Sequence, residues 1–245
     1  TEIETIFESQ TTLFESEKGR NVFKKNLKKF LMFENLEDDS SSAVKMKLEE
    51  YNKMQSKGTI YYDLRFLLDS KISEHHGIEI PNLGDYRAKI GENSLDFYID
   101  KNYQSVKKLS EQIKFFHYEL EFPQIFFDDN GEKKKNPGFD VIIGNPPYFQ
   151  LQKNKKISEE LSHLQYRTYS KSSDIYCIFY EQGVNLLKNE GILAYMTSNS
   201  WMKTKYGLLL RKYLKEFTNP LALIVFENSQ VFDEAIVESN ILILE

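Results

Sequence analysis

The chain has 245 residues, 40% of them hydrophobic and 28% charged, with a net charge of -5. That length can fill one large or two small cores, and the acidic balance excludes a global positive field for nucleic acid while leaving room for a local patch. Its single cysteine, Cys177, excludes internal disulfides and any cysteine-only metal cluster, and no run of about twenty apolar residues is present to span a bilayer, so a cytoplasmic setting is expected.

Up to about residue 120, apolar positions recur at helical spacing. One helix is expected from about Gly19 to Phe33. A second follows the polar cluster Asp38 to Ser42, with Val44, Leu48 and Tyr51 on one face. A third uses Leu64, Leu67, Leu68 and Ile72. Beyond a loop marked by Gly77, Pro81 and Gly84, a fourth carries Val106, Leu109, Ile113 and Phe116 on a single stripe. These stripes read as core packing, and His75 and His76 as loop residues.

From about residue 123 short apolar runs alternate with helical patterns, as in parallel strands joined by crossover helices. After a polar linker from Asp128 to Gly138, the runs are Phe139 to Ile143, Ile192 to Met196, Leu221 to Phe226 and Asn240 to Leu244. A helix from about Asp174 to Lys188 lies between the first two, and Gly191 is the residue expected to close it. The fold class expected is therefore α/β: a mainly helical region over residues 1–122, then a mainly parallel sheet over 123–245.

The first strand runs into Asn145-Pro146-Pro147-Tyr148. In a doubly wound sheet, ligands bind outside the carboxyl ends of the strands, where this tetrapeptide falls. Each proline fixes its own φ and lacks an N–H, and Pro146 also pushes Asn145 into an extended conformation. The turn therefore presents acceptors in a fixed geometry. Such acceptors suit the exocyclic amine of adenine, a poor nucleophile whose lone pair is delocalised into the ring. The Asn145 side-chain oxygen and the Pro146 carbonyl can each accept one amine hydrogen, favouring a pyramidal nitrogen that attacks a sulfonium methyl group. A base within a duplex must be flipped out to be reached, and Tyr148 offers an aromatic face to hold it. The competing reading is an ordinary strand-to-loop turn, since Asn, Gly and Pro are common turn formers.

Here the chain resembles the class I amino-methyltransferases, and more narrowly the N6-adenine DNA methyltransferase region of type IIG restriction-modification enzymes. Phe116 to Phe126, reading Phe-His-Tyr-Glu-Leu-Glu-Phe-Pro-Gln-Ile-Phe, is similar to a run that often precedes the Asn-Pro-Pro-Tyr strand in that family, with Tyr118 in place of the usual Trp. His117 reads as a packed histidine. Asp174 to Glu181 resembles the family helix in which an aromatic, here Phe179, lies against the adenine of the methyl donor. Val231 to Val237 resembles the loop whose phenylalanine, here Phe232, stacks on the flipped base opposite Tyr148. Ser198, Asn199 and Trp201 fit a loop that lines the DNA side. The resemblance covers residues 116–245 well and implies that the last strand, near 240–244, runs antiparallel to its neighbours. The helical first half looks like the insertion such enzymes place before the Asn-Pro-Pro-Tyr strand.

The resemblance implies S-adenosylmethionine as cofactor and double-stranded DNA as partner. Catalytic roles fall on Asn145, Pro146, Pro147 and Tyr148, base stacking on Tyr148 and Phe232, and donor contacts on Phe179 and Asn145. The Gly-x-Gly turn of the donor-binding strand does not occur among the eleven glycines. The expectation is therefore part of a larger polypeptide, inactive alone, whose remainder holds most of the donor. Two alternatives stay open: a methyltransferase of protein glutamine or an RNA base, and a non-catalytic DNA- or partner-binding module of a phage-defence protein. A nuclease reading of Asp129, Glu132 and Lys134 fails, because two intervening residues cannot bridge separate strands.

Overall fold

The computed structural model describes residues 39–78, 101–128, 133–226 and 238–245 and divides into two compact units, residues 1–135 and 136–245. The helix expected near residues 19–33, the loop around Pro81 and the segment holding Phe232 lie outside the described residues.

The described part of the first unit is helical: α1 (Ser41–Met54), α2 (Ile60–Glu74), α3 (Lys101–Ile113), α4 (Tyr118–Glu121) and α5 (Pro123–Phe126). Ser40 and Thr59 cap α1 and α2, each side-chain oxygen accepting a backbone N–H of the first turn, from Ala43 and Tyr62. The α2 stripe is core: Leu64, Leu67 and Leu68 are buried, as is Val106 of α3, and Phe66 packs on Tyr103 with ring centroids 4.6 Å apart. Two expected stripes are corrected. Val44 and Leu48 are exposed, because the face of α1 turned inward is a different one, where Ala43, Lys47, Tyr51 and Met54 are half-buried and the Tyr51 hydroxyl donates to Glu121. Phe116 is exposed because Lys114, at φ 60°, ends the α3 spiral before it.

The polar residues of the Phe116 to Phe126 run are used inside this unit. His117 Nε2 lies 2.6 Å from Asp69 Oδ1, Ser110 donates to the other Asp69 oxygen at 2.6 Å, and Glu121 accepts from the hydroxyls of Tyr51 and Tyr61. His117 is buried and paired, which accords with a packing residue. Phe126 and Phe127 are buried, and Lys134 N–H bonds back to Phe126 O, so residues 123–128 and 133–135 pack within the first unit.

The second unit is α/β. Its elements are β1 (Phe139–Gly144), a 3-10 turn (Leu151–Lys153), α6 (Lys155–Ser162), α7 (Tyr176–Leu186), β2 (Leu187–Ser198), α8 (Ser200–Lys203), α9 (Gly207–Phe217), β3 (Pro220–Phe226) and β4 (Ser239–Leu244). The sheet order is β1-β2-β4-β3, with β1 and β2 parallel and β4 antiparallel to both its neighbours. Three strands therefore share one direction and the last is reversed, as the resemblance implies. The core joins Tyr176, Cys177 and Tyr180 of α7, Leu193 and Tyr195 of β2, Leu210, Tyr213 and Leu214 of α9, and Leu242 and Leu244 of β4. Gly183 lets α7 approach the sheet, since a Cβ there would stand 2.3 Å from the Leu193 side chain.

Gly191 does not close the α7 helix. Leu187 turns extended directly after Leu186, and β2 begins there. Partners of β1 jump from Leu187 to Ile192, so residues 188–191 bulge out, with Glu190 at φ 63° making the turn. On β1 and β3, Val141, Ile143, Leu221, Leu223, Ile224 and Val225 are exposed. These strands form the two edges of the described sheet.

Candidate functional site

Asn145 leaves the carboxyl end of β1, where Gly144 pairs with Tyr195 of β2. Its side chain is exposed, Pro146 is buried and Pro147 is exposed. A rigid, half-embedded turn thus presents one amide to solvent. The Tyr148 hydroxyl donates to Asn145 Oδ1 at 2.7 Å and lies 3.2 Å from the carbonyl of Met196. This bond holds the amide in one direction, while the second lone pair of Oδ1 stays available to another donor. The Tyr148 ring meets Tyr176 edge-on, with centroids 6.2 Å apart. Burial, then the charge of Asp174, pushes the Tyr148 hydroxyl pKa above its ordinary value, so at neutral pH it is a donor.

Beyond Tyr148 the chain is stitched to the start of α7. Phe149 N–H donates to Asp174 Oδ1 at 2.9 Å, Ile175 N–H returns to Phe149 O at 3.0 Å, and Leu151 N–H bonds Ser173 O at 2.9 Å. Burial pushes the Asp174 carboxyl pKa up, against the opposing pull of backbone N–H groups of Phe149, Ile175 and Tyr176. Asp174 was not singled out from the sequence. A short polar residue just ahead of a helical pattern was the available signal, but its tie to Phe149 is non-local.

On α7, where Tyr176, Cys177, Ile178, Tyr180 and Glu181 are all buried, Phe179 is 38% exposed. A large ring left facing water on an otherwise buried helix has a surface free for a planar ligand, so its chemistry fits the adenine end of a nucleoside. The second expected stacking residue, Phe232, lies outside the described residues.

The loop after β2 departs from expectation. Ser198, Asn199 and Trp201 are buried, so they do not line an open surface. Trp201 joins the core cluster, and Asn199 donates to Glu238 at 3.0 Å. Beneath this loop is a buried polar group that sequence reasoning missed: the Tyr180 hydroxyl lies 3.1 Å from Thr197 Oγ1, and Asn240 donates to Thr197 O at 3.1 Å. Among the described residues no group of three His, Cys, Asp or Glu side chains is placed to hold a metal ion, and no helix is long and apolar enough to cross a membrane.

Comparison with known proteins adds a family. The Eco57I restriction-modification methylase model matches residues 11–232. The chain is 34% identical over 100 residues to the type II restriction enzyme and methyltransferase RM.Eco57I of Escherichia coli, a match covering 40% of this chain and 10% of that protein. It is 30% identical over 183 residues to RM.MjaORFECS2P of Methanocaldococcus jannaschii, covering 74% of this chain and 14% of the other. With the type II methyltransferase M.AccI of Acinetobacter calcoaceticus it shares 25% over 146 residues, covering 58% and 27% respectively. The match in each case takes in about a quarter or less of the relative's own length.

Proposed function

This chain belongs to the family of Eco57I restriction-modification methylases, and on that premise we propose that its second unit is the acceptor half of a DNA adenine-N6 methyltransferase. The observation that carries the reading is the Asn145 amide, exposed at a strand end with its oxygen oriented by Tyr148. A flipped adenine enters with its exocyclic amine toward the turn, and Asn145 Oδ1 and the Pro146 carbonyl accept its two hydrogens. Those bonds draw the lone pair out of the ring and strengthen as positive charge develops on nitrogen, so they act mainly in the transition state. Tyr148 and Phe232 hold the base by stacking.

S-adenosylmethionine supplies an electrophilic methyl group on sulfonium sulfur. The residues of this chain that would hold it are Phe179, against the adenine ring, and Asn145, near the reacting end. Double-stranded DNA and the rest of a longer polypeptide complete the assembly.

Digestion of methylated DNA to nucleosides tests the chemistry: the whole protein should produce N6-methyladenine. A product methylated on cytosine, or none with donor and DNA both bound, overturns the reading. A graded series at Tyr148 separates ring from hydroxyl. Tyr148→Phe keeps the stacking face and loses one neutral hydrogen bond, so kcat should fall about threefold to tenfold. Tyr148→Ala also loses the stacking, and kcat/KM for DNA should fall roughly tenfold to a hundredfold. Equal losses in both variants would mean that the ring does not hold the base.

The 245-residue chain alone should show no saturable binding of S-adenosylmethionine by calorimetry at micromolar concentration, because Phe179 and the Asn145 turn contact only one side of a donor. A polypeptide extended to include a Gly-x-Gly strand and helix should bind it. Tight binding by the chain alone would place the donor site elsewhere.

A further inference from the structure

We propose that Asp174 is a positioning residue that locks the acceptor turn to the helix carrying Phe179; the proposal rests on the reading of the Asn145 turn given above. Its carboxylate accepts the N–H of Phe149, the residue directly after Tyr148, at 2.9 Å. The backbone N–H groups of Ile175 and Tyr176, at the start of α7, lie near enough to the same carboxylate to pull its pKa down against burial. Ile175 N–H returns to Phe149 O, Gln150 and Asp174 form an antiparallel bridge, and Leu151 N–H bonds Ser173 O. One side chain therefore ties the two ends of the 150–173 excursion together, and those ends carry Tyr148 on one side and Phe179 on the other.

The arrangement is costly unless geometry is its purpose. Asp174 is 9% exposed and, among the ion pairs of the described residues, has no cationic partner. A buried carboxylate of this kind is sustained by N–H donors and by the positive end of a helix dipole. Those donors belong to two segments that sequence separates, so the carboxylate sets their register. Phe149 follows Tyr148 directly, so its backbone position fixes where the Tyr148 ring and hydroxyl stand relative to Asn145. A shift of about 1 Å between donor and acceptor subsites is enough to cost on the order of a hundredfold in rate.

Two substitutions in the whole protein separate geometry from charge. Asp174→Asn keeps an oxygen at the same reach and removes the charge; Asp174→Glu keeps the charge and moves the oxygens by a methylene. A clamp predicts that Asp174→Asn retains kcat within about threefold, whereas Asp174→Glu loses roughly tenfold in kcat with little change in the KM for S-adenosylmethionine. Hydrogen exchange reads the clamp without activity: amides 149–151 and 175–176 should stay protected in Asp174→Asn and open in Asp174→Glu. The reverse order, Glu active and protected with Asn neither, overturns the proposal in favour of a charge role. Unchanged exchange in both variants overturns it as well. Should the wild-type protein make no N6-methyladenine, the function reading fails, and the exchange data still decide whether Asp174 is the clamp.

Discussion

Replacing Asn145 by alanine in the whole protein should lower methyl transfer to adenine by roughly 100-fold to 1,000-fold, the loss seen when one preorganised acceptor or donor at a reacting centre is removed. The side chain is exposed and its bond to Tyr148 has an alternative in the Met196 carbonyl, so folding should be little disturbed. S-adenosylmethionine binding should also survive, because most of the donor's contacts lie elsewhere. The loss should therefore appear in kcat, with a melting temperature near that of the wild type. Asn145→Asp retains an acceptor oxygen and should keep more activity than Asn145→Ala. A folded Asn145→Ala protein that methylates adenine at near-normal rate would remove the assigned role of this turn.

The largest effect on stability is expected at Glu181. This carboxylate is fully buried on α7 and accepts two backbone N–H groups of the preceding loop, Arg167 at 3.0 Å on Oε1 and Thr168 at 2.8 Å on Oε2. Thr168, also fully buried, bonds on to the Cys177 carbonyl at 3.0 Å, so the loop is fastened to one helix through consecutive contacts. Glu181→Ala leaves those donors without an acceptor and opens a cavity. At about 1–3 kcal/mol for each unsatisfied buried group, with relief from removing a buried charge, the net loss should be about 2–4 kcal/mol. Thermal unfolding of the whole protein should then begin roughly 10 °C lower. Glu181→Gln keeps one acceptor oxygen and should lose less. An alanine variant as stable as the wild type would show that the loop finds other acceptors at no cost.

The four strands were legible in the sequence because a strand is announced by local facts: an apolar run of the right length, bounded by polar or turn residues. Phe139 to Gly144 and Ser239 to Leu244 each lie within a residue or two of the expected span. The Asn145 turn was legible for the same reason, since two prolines restrict the backbone whatever surrounds them. The reversed last strand came from family resemblance, as periodicity carries no information on strand direction.

Burial behaves differently, because it depends on which neighbours arrive. Val44 and Leu48 have the helical spacing of core residues and remain exposed, while Trp201, expected on an open surface, is enclosed by α7 and α9 residues. Gly191 resembles a helix stop and sits in a bulge, since Leu187 is drawn into pairing with Phe139. The Tyr148–Asn145 bond joins residues three apart and could be imagined from the sequence. The tie from Asp174 to Phe149 spans the whole 150–173 excursion and exists only once the chain beyond Tyr148 is brought back to the start of α7. Local chemistry placed the candidate acceptor groups on the chain; contacts that hold the surrounding turn come from segments distant in sequence, and only folding brings those together.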